Sequence, residues 1–183
     1  MLLLWILIAI AAILIVVFIS YYNRFAVLSN RIDNSLSQID VQLKRRADLI
    51  PNLVESVKGY MKHEKAAIKA VTDARKALVS GDLPSRVKAN DKLTGFLGKL
   101  FAIAENYPDL KANTGFLQLQ GELTTTEDKI AYSRQFYNDS ILSFNNLCTT
   151  FPGSVFASIF GRKQKEYLQI AEAEKKVVKV DFE

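Results

Sequence analysis

Few residue types in this chain of 183 residues are suited to chemistry: it has one histidine, His63, and one cysteine, Cys148. His63-Glu64 resembles the opening of a zinc-protease helix, which needs a second histidine four residues after the first. That position is Ala67. A single histidine excludes a His-based metal site, and any Ser–His arrangement would have to use His63. No serine sits in a G-x-S-x-G elbow, and there is no glycine-rich phosphate loop or Walker-type lysine. His63 therefore reads as a surface histidine. Cys148 falls on an apolar helical stripe and reads as a buried structural thiol rather than a nucleophile. Alone, it supports neither a disulfide framework nor a cysteine metal cluster. No catalytic, cofactor-binding or metal-ligating residue is expected.

The charged and amide residues that interrupt apolar stripes carry more information. Arg46 and Glu64 occupy such positions in the first half of the chain, and Glu127 and Arg134, seven apart, do so in the second. Desolvation costs several kcal/mol per ion, so buried charges are expected to be paired. Facing antiparallel helices can pair Arg46 or Arg134 with Glu64, Glu105 or Glu127, and the role of such a pair is to set helix register. The alternative is a drifting stripe whose side chains snorkel to water. Tyr137-Asn138 and Phe144-Asn145 repeat an aromatic–amide pair at the same spacing, which suggests interhelical amide hydrogen bonds. Arg46, Glu64, Glu127, Arg134, Asn138 and Asn145 make up the candidate structural polar core. Lys44-Arg45-Arg46 reads as a solvated face with one core arginine rather than a phosphate site.

The elements that position these residues begin with an anchor. Met1 to Ile19 contains no charge, proline or glycine. As a helix, Leu2 to Ile19 spans roughly 27 Å, close to the hydrocarbon thickness of a bilayer. No Lys or Arg precedes the run, and it ends in Phe18, Ile19, Ser20, Tyr21 and Tyr22. That is a poor cleavage site but suits an interfacial aromatic belt, so the segment reads as a retained anchor rather than a signal peptide. Arg24 and Arg31 follow it, and the positive-inside rule places the rest of the chain in the cytoplasm with the N-terminus outside.

Beyond the anchor the chain reads as all-α. From Phe25 to Leu78 one apolar line is Ile32, Ile39, Leu53, Tyr60, Ala67 and Ala74, and another is Leu36, Leu43, Ile50, Val57, Val71 and Leu78. The phase survives Pro51, which predicts a kink in one long helix; the alternative is a break near Asp48. Ser80 to Pro84 forms a loop. A second helix is expected from about Ser85 to Asn106, and a third from about Asn113 to Thr150 with Phe116, Leu123, Ile130, Tyr137, Phe144 and Phe151 inward. A fourth is expected from Ser154 to about Lys176, with Phe156, Ile159, Phe160, Tyr167 and Ile170. The tail Val177 to Phe182 alternates like a strand without a partner. The expected organisation is an anchor (1–22), an antiparallel up-and-down bundle of three to four long helices (23–176) and an extended tail (177–183). Net charge is +5, from 24 Lys and Arg against 19 Asp and Glu. That mild excess fits a solvated surface near anionic lipid and is too sparse to indicate nucleic acid.

Two segments support a resemblance. One is Leu43 to Tyr60, LKRRADLIPNLVESVKGY, followed at once by His63-Glu64; the other runs from Ala104, AENYPDLKANTGFLQLQGELTTTEDKIAYSRQFYNDSILSFNNLCTTFP, to Pro152. With the N-terminal apolar helix ending in Tyr22-Asn23 and the final VKVDF, they closely resemble the LemA family of bacterial membrane proteins. The resemblance implies a helical bundle on one membrane anchor, and no catalytic residue or cofactor. Members of that family resemble a protein of magnetosome membrane formation, and others occur beside membrane proteases, which implies a scaffold or accessory role. The expectation is a single-pass protein of the bacterial inner membrane acting as a non-enzymatic scaffold or adaptor. Its expected partners are the bilayer, through residues 1–22, and a membrane protein, a protease or further copies of itself. A membrane-organising protein acting by lateral self-assembly is the competing reading, and a hydrolase using Glu64, Glu105 and Glu127 is the third.

Overall fold

A computed structural model describes residues 1–168. Among the described residues six helices follow one another: α1 (Leu2–Lys58), α2 (Lys65–Leu78), α3 (Leu83–Ala104), α4 (Pro108–Lys111), α5 (Thr114–Thr149) and α6 (Gly153–Ile159). No strand occurs among the described residues. The protein is an all-α bundle, and among the described residues one helix, α1, is long and apolar enough to cross a membrane. The most apolar stretch of that helix has no buried residue. A soluble protein does not leave a continuous apolar surface of this size in water.

The described residues form two compact units, each drawing one stretch from α1 and one from α5. The first contains Met1–Leu36 and Arg134–Tyr167; the second contains Ser37–Ser133 and Leu168.

In the second unit the helices run up and down. Asp40 meets Arg86 and Arg46 meets Asn90, so α1 and α3 run in the same direction. Asn90 meets Glu127 while Phe101 meets Phe116, so α5 runs opposite to α3. Helix α2 returns from α1 and packs along α3. Ile39, Leu43, Ile50, Leu53 and Val57 from α1 are almost wholly buried, as are Leu78, Leu93, Leu100, Leu123 and Ile130 from its neighbours. Each such side chain contributes about 1.5–3 kcal/mol by leaving water. Asn113 starts α5 by accepting a hydrogen bond from the Phe116 N–H at 3.0 Å, which satisfies a donor with no partner in the first turn.

The single helix expected to Leu78 is interrupted. Pro51 lies inside α1, but the helix ends at Lys58, and Gly59 to Glu64 form a turn before α2. The Met61 N–H closes the end by donating to the Val57 carbonyl at 2.8 Å, and the Met61 side chain is buried. Tyr60, expected inward, is exposed as a result.

In the first unit Phe25, Leu28 and Ile32 of α1 pack with Ile141, Phe144 and Leu147 of α5 and Ala157 of α6. Gly153 permits the close turn from α5 to α6, because a Cβ there would run into the Leu147 carbonyl. The fourth helix is far shorter than expected. At its end Gly161 adopts φ +64°, Arg162 N–H donates to the Ala157 carbonyl at 2.8 Å, and Gly161 N–H donates to Ser158 at 3.2 Å. This is a Schellman stop, and residues 162–168 continue without helix. Phe151, Ile159 and Tyr167, expected inward, are exposed. The rest of the expected fourth helix and the tail 177–183 lie outside the described residues.

Candidate functional site

The second unit has a polar centre where three helices meet. Helix α1 presents Arg46 on the same face as the apolar residues Leu43, Ile50 and Leu53, which forces the guanidinium inward; the residue is 2% exposed. Its Nη1 donates to Asn90 Oδ1 of α3 at 2.6 Å and pairs with the Glu127 carboxylate of α5. The Asn90 Nδ2 in turn donates to Glu127 Oε2 at 3.1 Å, which closes a triangle. Burial pushes the Arg46 guanidinium down to about 10, with Asp91 opposing that shift, so Arg46 is a cation at neutral pH. Glu127 keeps a side-chain exposure of 28%, so the pair is only partly desolvated. Such a pair adds little net stability over a hydrophobic replacement, but it costs heavily to break. It joins α1, α3 and α5 in one register. Arg46 Nε and Gln42 Oε1 are buried without a protein hydrogen-bond partner among the described residues.

A second polar device follows from Pro51. In a regular helix the N–H of residue 51 would bond to the carbonyl of Ala47. Proline has no N–H, so that carbonyl is left without its helical donor. Arg75 of α2 fills the gap: its Nε donates to the Ala47 oxygen at 2.8 Å. The break that the proline makes in the hydrogen-bond ladder of α1 is thus the point where α2 is fastened. Arg86 acts similarly at the next corner, donating to the Leu78 carbonyl and pairing with Asp40, each at 2.7 Å.

The remaining expected residues are dispersed. Glu64 is half-buried at the start of α2, outside the triangle, because the turn after Lys58 takes it off the face of α1. Glu105 pairs with Lys111 at the surface. Arg134 is buried and Asn138 half-buried in the first unit. Asn145 accepts from the Lys165 N–H at 2.8 Å and donates to the Lys165 carbonyl at 2.9 Å. It therefore clamps the extended segment after α6 instead of bridging two helices. His63 is exposed in the turn before α2, and Arg45 pairs with Glu122 at the surface. Cys148 is half-buried against the first unit's core; burial raises its thiol pKa, and Arg162 opposes this. Such a thiol is a poor nucleophile. Among the described residues no group of three His, Cys, Asp or Glu side chains is placed to hold a metal ion.

The sequence reading did not include Asn90, Arg75 or Arg86. Asn90 had a readable signal: it lies three residues from both Val87 and Leu93 and seven from Leu97, in the middle of an apolar stripe. Arg75 had none, because only the fold brings it to the carbonyl that Pro51 leaves free.

The first unit contains an open cleft of about 730 Å³ between α1 and α5. Arg24 and Arg31, seven apart on α1, line it with Tyr21, Ser143 and Asn146 line it from α5, and Thr150 from just past the end of that helix. Two guanidinium groups among hydroxyls and amides favour an anion.

The family model described as LemA family matches residues 35–182. The chain is 31% identical over 137 residues to Protein LemA of Metamycoplasma hominis, covering 74% of this chain and 63% of that protein. It is 26% identical over 173 residues to Magnetosome protein MamQ of Magnetospirillum gryphiswaldense, covering 80% and 64%. Magnetosome protein MamQ 2 of Paramagnetospirillum magneticum is 26% identical over 175 residues, covering 81% and 64%. The chain thus spans a little under two thirds of the length of these relatives. The match takes in the α1–α3–α5 triangle, the fastening at Pro51 and the Asn145 clamp, and on that extent this membrane-associated helical protein belongs to the LemA family.

Proposed function

We propose that this protein is a membrane-tethered scaffold that holds a partner at the bilayer without catalysing a reaction. The observation that carries the reading is the apolar stretch of α1, in which no residue is buried and which continues without interruption into the amphipathic part of the same helix. Tether and scaffold share one helix, so location is part of the activity. Arg24 and Arg31, which follow the span, support a cytoplasmic location for the residues after it. The buried Arg46 and Asn90 of the second unit are engaged in fastening helices. Two relatives named as magnetosome proteins support a role in organising a membrane compartment.

Cross-linking in native membranes, followed by purification of the intact protein, tests the proposal. The expected product joins this chain to one discrete membrane protein and disappears when residues 1–22 are deleted. A ladder containing only copies of this chain would transfer the function to lateral self-assembly. A hydrolytic activity abolished by His63→Ala or Glu64→Gln at unchanged stability would make the protein an enzyme.

A further inference from the structure

Helix α6 is held at the end of the membrane span. Phe160 meets Phe18 edge-on at 5.1 Å, Tyr22 at 5.6 Å and Phe25 at 6.0 Å between ring centroids. Phe156 stacks on Tyr21 at 4.6 Å. Phe18 belongs to the uncharged run, and Tyr21 and Tyr22 follow it, so these rings fix α6 at the depth where hydrocarbon gives way to headgroups. The inner face of α6 is fully accounted for by these contacts and by Gly153 and Ala157, both buried. Its other face is not. Val155 and Ile159, four apart on it, are 50% and 60% exposed, and Phe151, in the turn that leads into it, is 85% exposed. A surface facing water would not repeat large apolar residues at helical spacing beside a span that is itself uncovered.

We propose that this face is a second membrane contact, in which α6 lies in the interfacial layer of the leaflet that α1 enters and inserts Phe151, Val155 and Ile159 among the lipids. The reading rests on α1 spanning the bilayer. Its charge pattern fits lipid as the occupant. Arg162 and Lys163, both exposed, follow the Schellman stop at once, and Arg24 and Arg31 line the neighbouring cleft. Cations next to a short apolar face are the arrangement of elements that lie in an interface above anionic headgroups. An element inserted in one leaflet only also widens that leaflet.

Trp5 is the only tryptophan, which makes the test direct. The full-length protein is reconstituted in phosphatidylcholine–phosphatidylglycerol vesicles whose phosphatidylcholine is brominated at one depth of the acyl chains. Wild-type Trp5 fluorescence reports the span. The variants Trp5→Phe/Ile159→Trp and Trp5→Phe/Val155→Trp report α6, at positions exposed enough to accept the larger ring. The expected result is loss of the introduced emission with lipid brominated near the headgroup, at about 5–10 Å depth, and protection from aqueous iodide. Quenching by iodide and not by brominated lipid would overturn the proposal, because the face would then meet water. Resistance to both would also overturn it, because the face would be covered by protein, and emission sensitive to dilution of protein in lipid would identify a second copy. Trp5 separates the two readings: if it too escapes the brominated lipid, the span is wrong, and if it alone is quenched, only the second contact fails.

Discussion

Pro51 and Arg75 should be energetically coupled, although the two residues are linked through a backbone carbonyl rather than by direct bonding. The Ala47 carbonyl has no helical donor because residue 51 is proline, and Arg75 Nε supplies one at 2.8 Å. Arg75→Met keeps most of the aliphatic stem and removes the donor. A hydrogen bond from a charged group is worth roughly 1.5–3 kcal/mol, and Arg75 is half-buried, so the low end applies, about 1–2 kcal/mol. For a chain of this size that lowers Tm by about 3–6 °C. Pro51→Ala restores a backbone N–H to the same carbonyl and relieves the ring clash, so it should raise stability. In the double variant Ala47 already has its helical donor, and Arg75→Met should then cost less than about 0.5 kcal/mol. The coupling energy is therefore about 1 kcal/mol. Thermal melts by far-UV circular dichroism, on full-length protein in detergent micelles, measure all four members of the cycle. An equal cost for Arg75→Met in both backgrounds would refute the argument that the proline creates the site that fastens α2.

Three further outcomes follow from the same contacts. Arg46→Ala leaves the Glu127 carboxylate and Asn90 without their cation and should cost about 3 kcal/mol, the low end for a broken buried pair because Glu127 reaches solvent; Arg46→Met should cost less, and urea titration of both distinguishes them. Asn145→Ala removes both hydrogen bonds to Lys165 and should speed tryptic cleavage at Arg162, Lys163 and Lys165, with little change in the melt of the remaining helices. Cys148 should alkylate more slowly than a free cysteine at neutral pH, and its rate–pH curve should lie at higher pH, because burial disfavours the thiolate more than Arg162 favours it; a curve displaced to lower pH would contradict this.

The helices were legible wherever apolar residues kept one face over many turns, as in α3 and α5, whose observed ends lie within two residues of those expected. The turn at Gly59 to Glu64 was hidden for a physical reason. Val57, Glu64, Val71 and Leu78 are seven apart, and a short turn placed between two helices whose stripes both face the core preserves that grid. Periodicity reports which residues face inward, not whether the helix between them is continuous. Helix α6 ended early because Gly161 adopts a left-handed conformation, and a single glycine does not announce that choice in the sequence. Arg46 and Glu127 could be read as charges on apolar stripes, but the third member, Asn90, is an uncharged residue whose burial incurs less desolvation and so stands out less. The clamp by Asn145 was beyond reach, because its partner is the backbone of Lys165, which carries no side-chain signature.

If location is the activity, complementation in cells decides it. In a strain lacking this protein, three forms are compared at equal abundance: the full chain, the chain beginning at Arg24, and the full chain with residues 1–19 replaced by an unrelated uncharged span. The full chain and the replaced span should both restore the lost phenotype, and the untethered form, still folded and helical, should not. Full rescue by the untethered form would show that the tether is dispensable and that location is not the activity.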